Sequence, residues 1–257
     1  MTDIHSTAIV SKSAQLGENV TIGPYCIIED EVIIGDGSKI TSSSRIASGA
    51  VLGKNVQVFH GAVIATIPQD LKFGGEKTRA VVGDDTVVRE YATINRGTRA
   101  HGETTIGRNC FLMAYSHVAH DCIIGDNVIM ANSVNLAGHI EIDDFAIIGG
   151  VVPVHQFVKI GAHSMIGGGF RVQQDICPYA LVGGYPLRVV GINSIGLKRR
   201  GFSLEVVKAL EKAFKLLFFS KLNTSQAVER INSELEIIPE VKVILDFLER
   251  SDRGIVK

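Results

Sequence analysis

Apolar side chains return at every sixth residue along most of this chain. Ile4, Val10, Leu16, Ile22, Ile28, Ile34, Ile40, Ile46, Leu52, Val58 and Ile64 make an unbroken run. Val82, Val88 and Ile94 resume its phase, and Ile106, Leu112, Val118, Ile124, Met130, Leu136, Ile142, Ile148, Val154, Ile160, Ile166 and Val172 continue it. Four positions after each apolar residue a small one recurs, as at Ala8, Ala14, Val20, Cys26, Ser38, Ser44, Ala50 and Ala62. Such a beat fits neither a helix turn nor simple strand alternation. It is a hexapeptide repeat: each hexad supplies a short strand and a turn, and three hexads close a triangular coil. Coils stack with parallel strands about 4.8 Å apart. The corners are expected to use the Gly and Asn of segments such as Leu16-Gly17-Glu18-Asn19 and Ile124-Gly125-Asp126-Asn127, because these residues tolerate left-handed backbone. The pattern predicts a mainly β protein of about ten coils, reaching roughly residue 184.

Two segments break the beat. Residues 65–81 put Asp70 and Glu76 at apolar positions and predict a loop extruded from a coil, with Pro68 to Gly75 at its tip; residues 98–104 predict a smaller excursion. Long loops on rigid scaffolds often carry function. After residue 192 the spacing becomes helical. Leu204, Val207, Leu210, Phe214 and Leu217 predict one helix capped by Ser203, a second starts near Thr224, and Pro239 opens a third. The expected organisation is a β-helix over 1–192 and a helical domain over 193–257, which covers an open coil end or packs on a neighbour.

Composition agrees with short stacked strands: the 257 residues include 27 glycines and no tryptophan. A net charge of −1 gives no argument for nucleic acid as a partner. No apolar run approaches the ~18 residues of a membrane span, and Met-Thr-Asp-Ile-His has no basic region followed by an apolar stretch as a secretory signal would, so a cytoplasmic protein is expected. Cys26, Cys110 and Cys122 share the small-residue phase and are expected to be buried filler; no cysteine spacing suits zinc or a disulfide framework.

The densest reactive segment is Tyr115-Ser116-His117-Val118-Ala119-His120-Asp121-Cys122. His120 adjoins a corner, and its exposure is the expectation. Stacking at one coil per turn sets Gly138 above His120 and His139 above Asp121, and a further coil brings Gln156. A base, a carboxylate and an unshielded backbone N–H are the parts of an acyl-transfer site. The coil-related set His117, His120, His139 and His155 leaves a zinc site as an alternative, although His117 and His120 do not share a strand face.

The hexads resemble the left-handed parallel β-helix family, an exception to right-handed crossover. Beyond that, an ordered set spanning the chain resembles the UDP-N-acetylglucosamine O-acyltransferase family of lipid A biosynthesis: Gln69-Asp70-Leu71-Lys72, His117-Val118-Ala119-His120-Asp121-Cys122, Leu136-Ala137-Gly138-His139, Val154-His155-Gln156-Phe157 and Gly196-Leu197-Lys198-Arg199-Arg200-Gly201-Phe202. The resemblance implies transfer of a 3-hydroxyacyl chain from acyl carrier protein to the glucosamine 3-hydroxyl. It implies no cofactor and no metal, since the carrier's phosphopantetheine thioester is a co-substrate. In these terms His120 is the general base, Asp121 orients it and Gly138 donates its N–H to the oxyanion. Gln69, Asp70, Lys72, His117, His139, His155 and Gln156 surround the sugar, thioester and acyl chain. Asn193, Arg199 and Arg200 serve the nucleotide, with the arginines suited to phosphate, and Gly168 ends the acyl groove. The resemblance also implies a homotrimer with sites between subunits.

This chain departs from the pattern at Asn95, where a histidine is familiar; at Gly183 to Arg188, which the resemblance sets near the nucleotide; at Ile195; and at Phe170-Arg171. N-acyltransferase relatives carry an additional N-terminal domain, for which hexads beginning at Ile4 leave no room. Other β-helix acyltransferases, a zinc-dependent trimeric hydratase and a non-catalytic scaffold are the alternatives. Between residues 197 and 221, Lys198, Arg199, Arg200, Lys208, Lys212, Lys215 and Lys221 face only Glu205 and Glu211, a balance that would steer an acidic carrier protein.

Overall fold

The computed structural model describes residues 1–257. Each hexad forms a strand of mostly two residues, and the strands line up in three sheets of eleven, eight and eight. The first face begins with Asp3–Ile4, the second with Ile9–Val10 and the third with Gln15–Leu16. Register follows the repeat: Ile4 pairs with Ile22, Val10 with Ile28 and Leu16 with Ile34, all parallel. The sixth-residue positions from Ile22 through Val172 are almost fully buried and merge into one hydrophobic cluster. Each such Ile or Leu contributes about 1.5–3 kcal/mol of burial. Ile4, Val10 and Leu16 are less covered because no coil lies below them.

The small-residue slots fill the rest of the prism. Ser38 and Ser44 are tolerated there because their hydroxyls donate to the carbonyls of Gly53 and Phe59, both at 2.9 Å. Cys26, Cys110 and Cys122 are free and buried, as expected of filler. Burial pushes the Cys110 thiol up to about 11 and the Cys122 thiol to about 12, so neither supplies a thiolate at neutral pH.

The corners differ from the composition-based expectation. From Asn19 to Gly169, away from the two excursions, every sixth residue is left-handed, and the slot is filled not only by Asn19, Gly37 and Asn55 but by Tyr25, Tyr91, Asp121, His139, Val151, Phe157 and His163. Left-handed backbone costs a non-glycine residue roughly 1–2 kcal/mol. Ladder bonds between corners, such as Asn55 N–H to Asp36 O and Tyr115 N–H to Glu90 O, hold the conformation in register. Stacked rings add to this, with Tyr91 on Tyr115 and His139 on Phe157. Side chains in this slot leave the core, which is how Asp121 and His139 become available for chemistry.

Strands Val63–Thr66 and Arg79–Val82 shorten the long loop to residues 67–78, and strand Glu103–Ile106 limits the second excursion to 96–102. Regular coils end earlier than expected: after Met165–Ile166 the second and third faces continue only as single bridges at Val172 and Ile176. Strand Ala180–Gly183 then turns back antiparallel onto Arg188–Ile192, a hairpin the hexad count does not show.

Helices α2 (Leu204–Phe218), α3 (Thr224–Glu234) and α4 (Pro239–Glu249) follow the predicted starts. Ser203 caps α2 by accepting the Val206 N–H. Helix α1 (Ser194–Arg199) escaped the periodicity because it has six residues and buries only Leu197. Helix α2 packs on the hairpin, with α3 and α4 against α2. The chain then returns to the coils, where Arg250 pairs with Glu141 and Asp143 and Ile255 and Val256 are buried. No helix is long and apolar enough to cross a membrane.

Candidate active site

Strand His117–Val118 belongs to the second face and Ile123–Ile124 to the third, so Ala119 to Cys122 form the corner between them. Val118 and Cys122 are fully buried. The corner turns on Asp121, whose φ is 59°. The Asp121 side chain is nonetheless completely covered, because residues 96–102 fold over it.

The Asp121 carboxylate receives four donors. Its Oδ1 accepts the Thr98 N–H at 2.9 Å and the His101 N–H at 3.3 Å. Its Oδ2 accepts the Thr98 Oγ1 hydroxyl at 2.7 Å and His120 Nδ1 at 2.7 Å. Burial alone would raise this carboxyl, but the His120 and Thr98 donors outweigh it and the net shift is downward. Stability from this carboxylate is therefore present above the ordinary value of about 3.9 and is lost as pH falls through the lower folded value. An ionised carboxylate only accepts, so His120 must donate from Nδ1; neutral imidazole then keeps its lone pair on Nε2.

Gly138 lies one coil above His120, fixed by the His139 N–H bond to His120 O. A Cβ on Gly138 would sit 2.8 Å from His120 Nε2 and 2.7 Å from Cε1. Only a glycine lets the ring come this close to the next coil, and the Gly138 N–H donates to no backbone carbonyl. His139 meets the His120 ring edge-on at 5.1 Å between centroids. His120 is therefore more enclosed than its corner position suggested, with 14% of its side chain exposed.

Other expected residues fall into two groups. His117 adjoins the base, with Nδ1 2.7 Å from Thr93 Oγ1; burial, then the neighbouring His120, lowers its pKa. Gln156 continues the ladder of His120 and Gly138, as the Phe157 N–H bond to Gly138 O shows, and His155 lies beside it with Nδ1 3.2 Å from Gln156 O. In the long loop, Asp70 is half-buried, while Gln69 and Lys72 are exposed. Asn95 is buried and its amide donates to Thr66 Oγ1 at 2.9 Å, closing the root of that loop.

Asn193, Arg199 and Arg200 are not brought to His120 within one chain. Asn193 caps α1 and also donates to His163 O at 3.0 Å. Arg199 and Ile195 line a cavity with Ile147 and Met165 of the first face, opposite the His120 corner. Arg200 lies over the Phe145 ring at 4.9 Å. Beneath it His163 is depressed to about 4 by burial and then by the Arg200 charge. The segment Gly183 to Arg188 is the hairpin turn, at the end of the hairpin away from Asn193 within one chain. Gly168 stands on the corner of the first and second faces, where a Cβ would come within 3.1 Å of Gly150 O.

His120, Asp121 and His139 present donor atoms within 4.8 Å of one another, the arrangement a metal would use. The four donors on Asp121 occupy all of its roughly four lone-pair positions, so a cation would have to displace one, and the cluster is built for hydrogen bonding. Sequence reasoning missed Thr98, His101 and Thr104, whose Oγ1 accepts the Asp121 N–H at 2.8 Å. The signal was available: counting one coil back from Asp121, instead of forward from His120, lands at the end of the second excursion.

The three-sided stack places the chain among hexapeptide transferases: residues 13–48 and 103–138 match the family described as bacterial transferase hexapeptide (six repeats). Residues 175–256 match domain 2 of UDP-N-acetylglucosamine O-acyltransferase. An acyl-[acyl-carrier-protein]–UDP-N-acetylglucosamine O-acyltransferase from Thermodesulfovibrio yellowstonii is 46% identical over 258 residues, covering 100% of both chains. A UDP-N-acetylglucosamine acyltransferase structure from Bacteroides fragilis superposes with a TM-score of 0.98 at 45% identity, covering 99% of this chain and 100% of that one. One from Arabidopsis gives 0.86 at 33%, covering 99% and 100%. The chain belongs to the UDP-N-acetylglucosamine O-acyltransferase family and has its left-handed β-helix.

Proposed function

We propose that this protein transfers an (R)-3-hydroxyacyl chain from acyl carrier protein to the 3-hydroxyl of UDP-N-acetylglucosamine. The observation that carries the chemistry is the His120–Asp121 pair lying against Gly138. His120 Nε2 takes the proton of the sugar hydroxyl as its oxygen attacks the thioester carbonyl. The negative charge passes to the carbonyl oxygen, where the Gly138 N–H donates. Collapse breaks the carbon–sulfur bond, and the imidazolium returns its proton to the departing thiolate. Asp121 holds the imidazole tautomer and offsets its transient charge. His117, His139, His155, Gln156, Gln69, Asp70 and Lys72 position the substrates around this centre.

Asn193 and Arg199 line the first face, opposite the His120 corner, and Arg200 lies over Phe145 where the third face meets the first, so both sets serve one site only if neighbouring copies supply them. This supports a homotrimer with sites between subunits. Lys208, Lys212 and Lys215 share one exposed face of α2, suited to an acidic carrier protein. The direct test incubates the protein with a panel of hydroxyacyl carrier proteins and either UDP-N-acetylglucosamine or its 3-amino analogue. Mass spectrometry should detect the O-acylated sugar nucleotide; absence of acylated product with every donor overturns the reading.

Gly168 and Gly150 leave a strip of corner without side chains, consistent with the end of an acyl groove. Gly168→Met is expected to move the preferred donor to a shorter chain in the same panel. An unchanged preference removes Gly168 from the groove.

A further inference from the structure

We infer that Thr98 is a positioning residue for the His120–Asp121 pair, and that the 96–102 excursion exists to present it. The inference rests on the acyl-transfer reading of that pair. Thr98 is 6% exposed and gives Asp121 two of its four donors, the N–H on one oxygen and the hydroxyl on the other. The direction of the hydroxyl is settled by its neighbour: the Ala100 N–H donates to Thr98 Oγ1 at 3.2 Å, so the hydroxyl hydrogen is free to point at Asp121 Oδ2. That oxygen also accepts from His120. The hydroxyl thus fixes the acceptor that sets the plane and tautomer of the base.

The excursion is shaped for this task. The Gly102 N–H closes it on Thr98 O at 2.7 Å, with Gly102 at φ 78°. At its start a Cβ on Gly97 would lie 2.5 Å from Glu103 N, so glycine lets the two stems approach. The longer loop leans on the same segment: Glu76 accepts the Arg99 N–H at 3.1 Å, and the Arg96 guanidinium sits 5.5 Å from the Phe73 ring centre. Thr98 therefore stands between the loop that carries Asp70 and the carboxylate that orients the base.

The test compares Thr98→Val, Thr98→Ser and wild type in the carrier-protein transfer assay, with melting temperatures measured alongside. Valine keeps the shape and the N–H but removes the hydroxyl; serine keeps the hydroxyl. We expect valine to lower kcat about tenfold or more with KM for the sugar nucleotide little changed, and serine to stay within about threefold of wild type. In an Asp121→Ala background the valine effect should shrink toward none, since the hydroxyl acts through that carboxylate. Equal activity of valine and wild type, equal losses for valine and serine, or a full valine effect without Asp121 overturns the assignment. Should the valine variant not fold, alanine against serine carries the same contrast: a loss confined to alanine supports the role, and similar activities overturn it. An inactive wild type would instead refute the acyl-transfer reading itself.

Discussion

His120→Ala is expected to lower hydroxyacyl transfer about a hundred- to ten-thousandfold, the range over which a positioned general base acts. The loss should fall on kcat, because the substitution removes the group that takes the proton in the transition state and leaves sugar and acyl contacts in place. The variant should still fold. His120 lies outside the hydrophobic cluster, and its removal takes one of four donors from Asp121. Losing a hydrogen bond to a buried charge costs about 1–3 kcal/mol, against a core of 58 buried residues. Steady-state kinetics with an unchanged circular dichroism spectrum is the check. Near-normal turnover would refute His120 as the base, and His139, whose ring stands edge-on to it, would become the residue to test.

The scaffold was legible because its signal is one-dimensional. A coil returns to the same face after three hexads, so counting along the chain predicts vertical neighbours, and Gly138 lies on His120 as counted. Where the chain leaves the coil, the same count reaches the neighbouring excursion but not the positions of residues inside it. Thr98 and His101 reach Asp121 from an excursion whose internal fold follows from Gly97 and Gly102, not from any period. Corner composition misled for a related reason. A Tyr or Val in a left-handed slot is disfavoured in isolation, and only the ladder to the coils above and below makes Tyr91 or Val151 acceptable there. Asn193 and the two arginines show a third limit. Their resemblance to nucleotide-binding positions is readable from sequence, whereas their placement away from His120, on the first face and at its corner with the third, emerges only when the faces are assembled.

Gly138→Ala is expected to lower kcat by about a hundredfold, the scale of a displacement near 1 Å at a reacting group. The substitution keeps the backbone N–H, and Gly138 is not among the left-handed glycines, so alanine meets no backbone penalty. What it meets is the base. The new methyl would lie 2.7 Å from His120 Cε1 and 2.8 Å from Nε2, closer than carbon contacts allow. The ring cannot swing away freely, because Nδ1 is held by Asp121 at 2.7 Å and Asp121 is itself held by Thr98. The strain must therefore displace Nε2 from the path of the substrate hydroxyl. A double variant separates this from loss of an oxyanion donor. In His120→Ala the ring is gone, so adding Gly138→Ala should cost little further activity and should raise the melting temperature relative to Gly138→Ala alone. If the two losses instead multiply, Gly138 contributes independently of the base, and its N–H, perturbed by the new side chain, is the source of the effect.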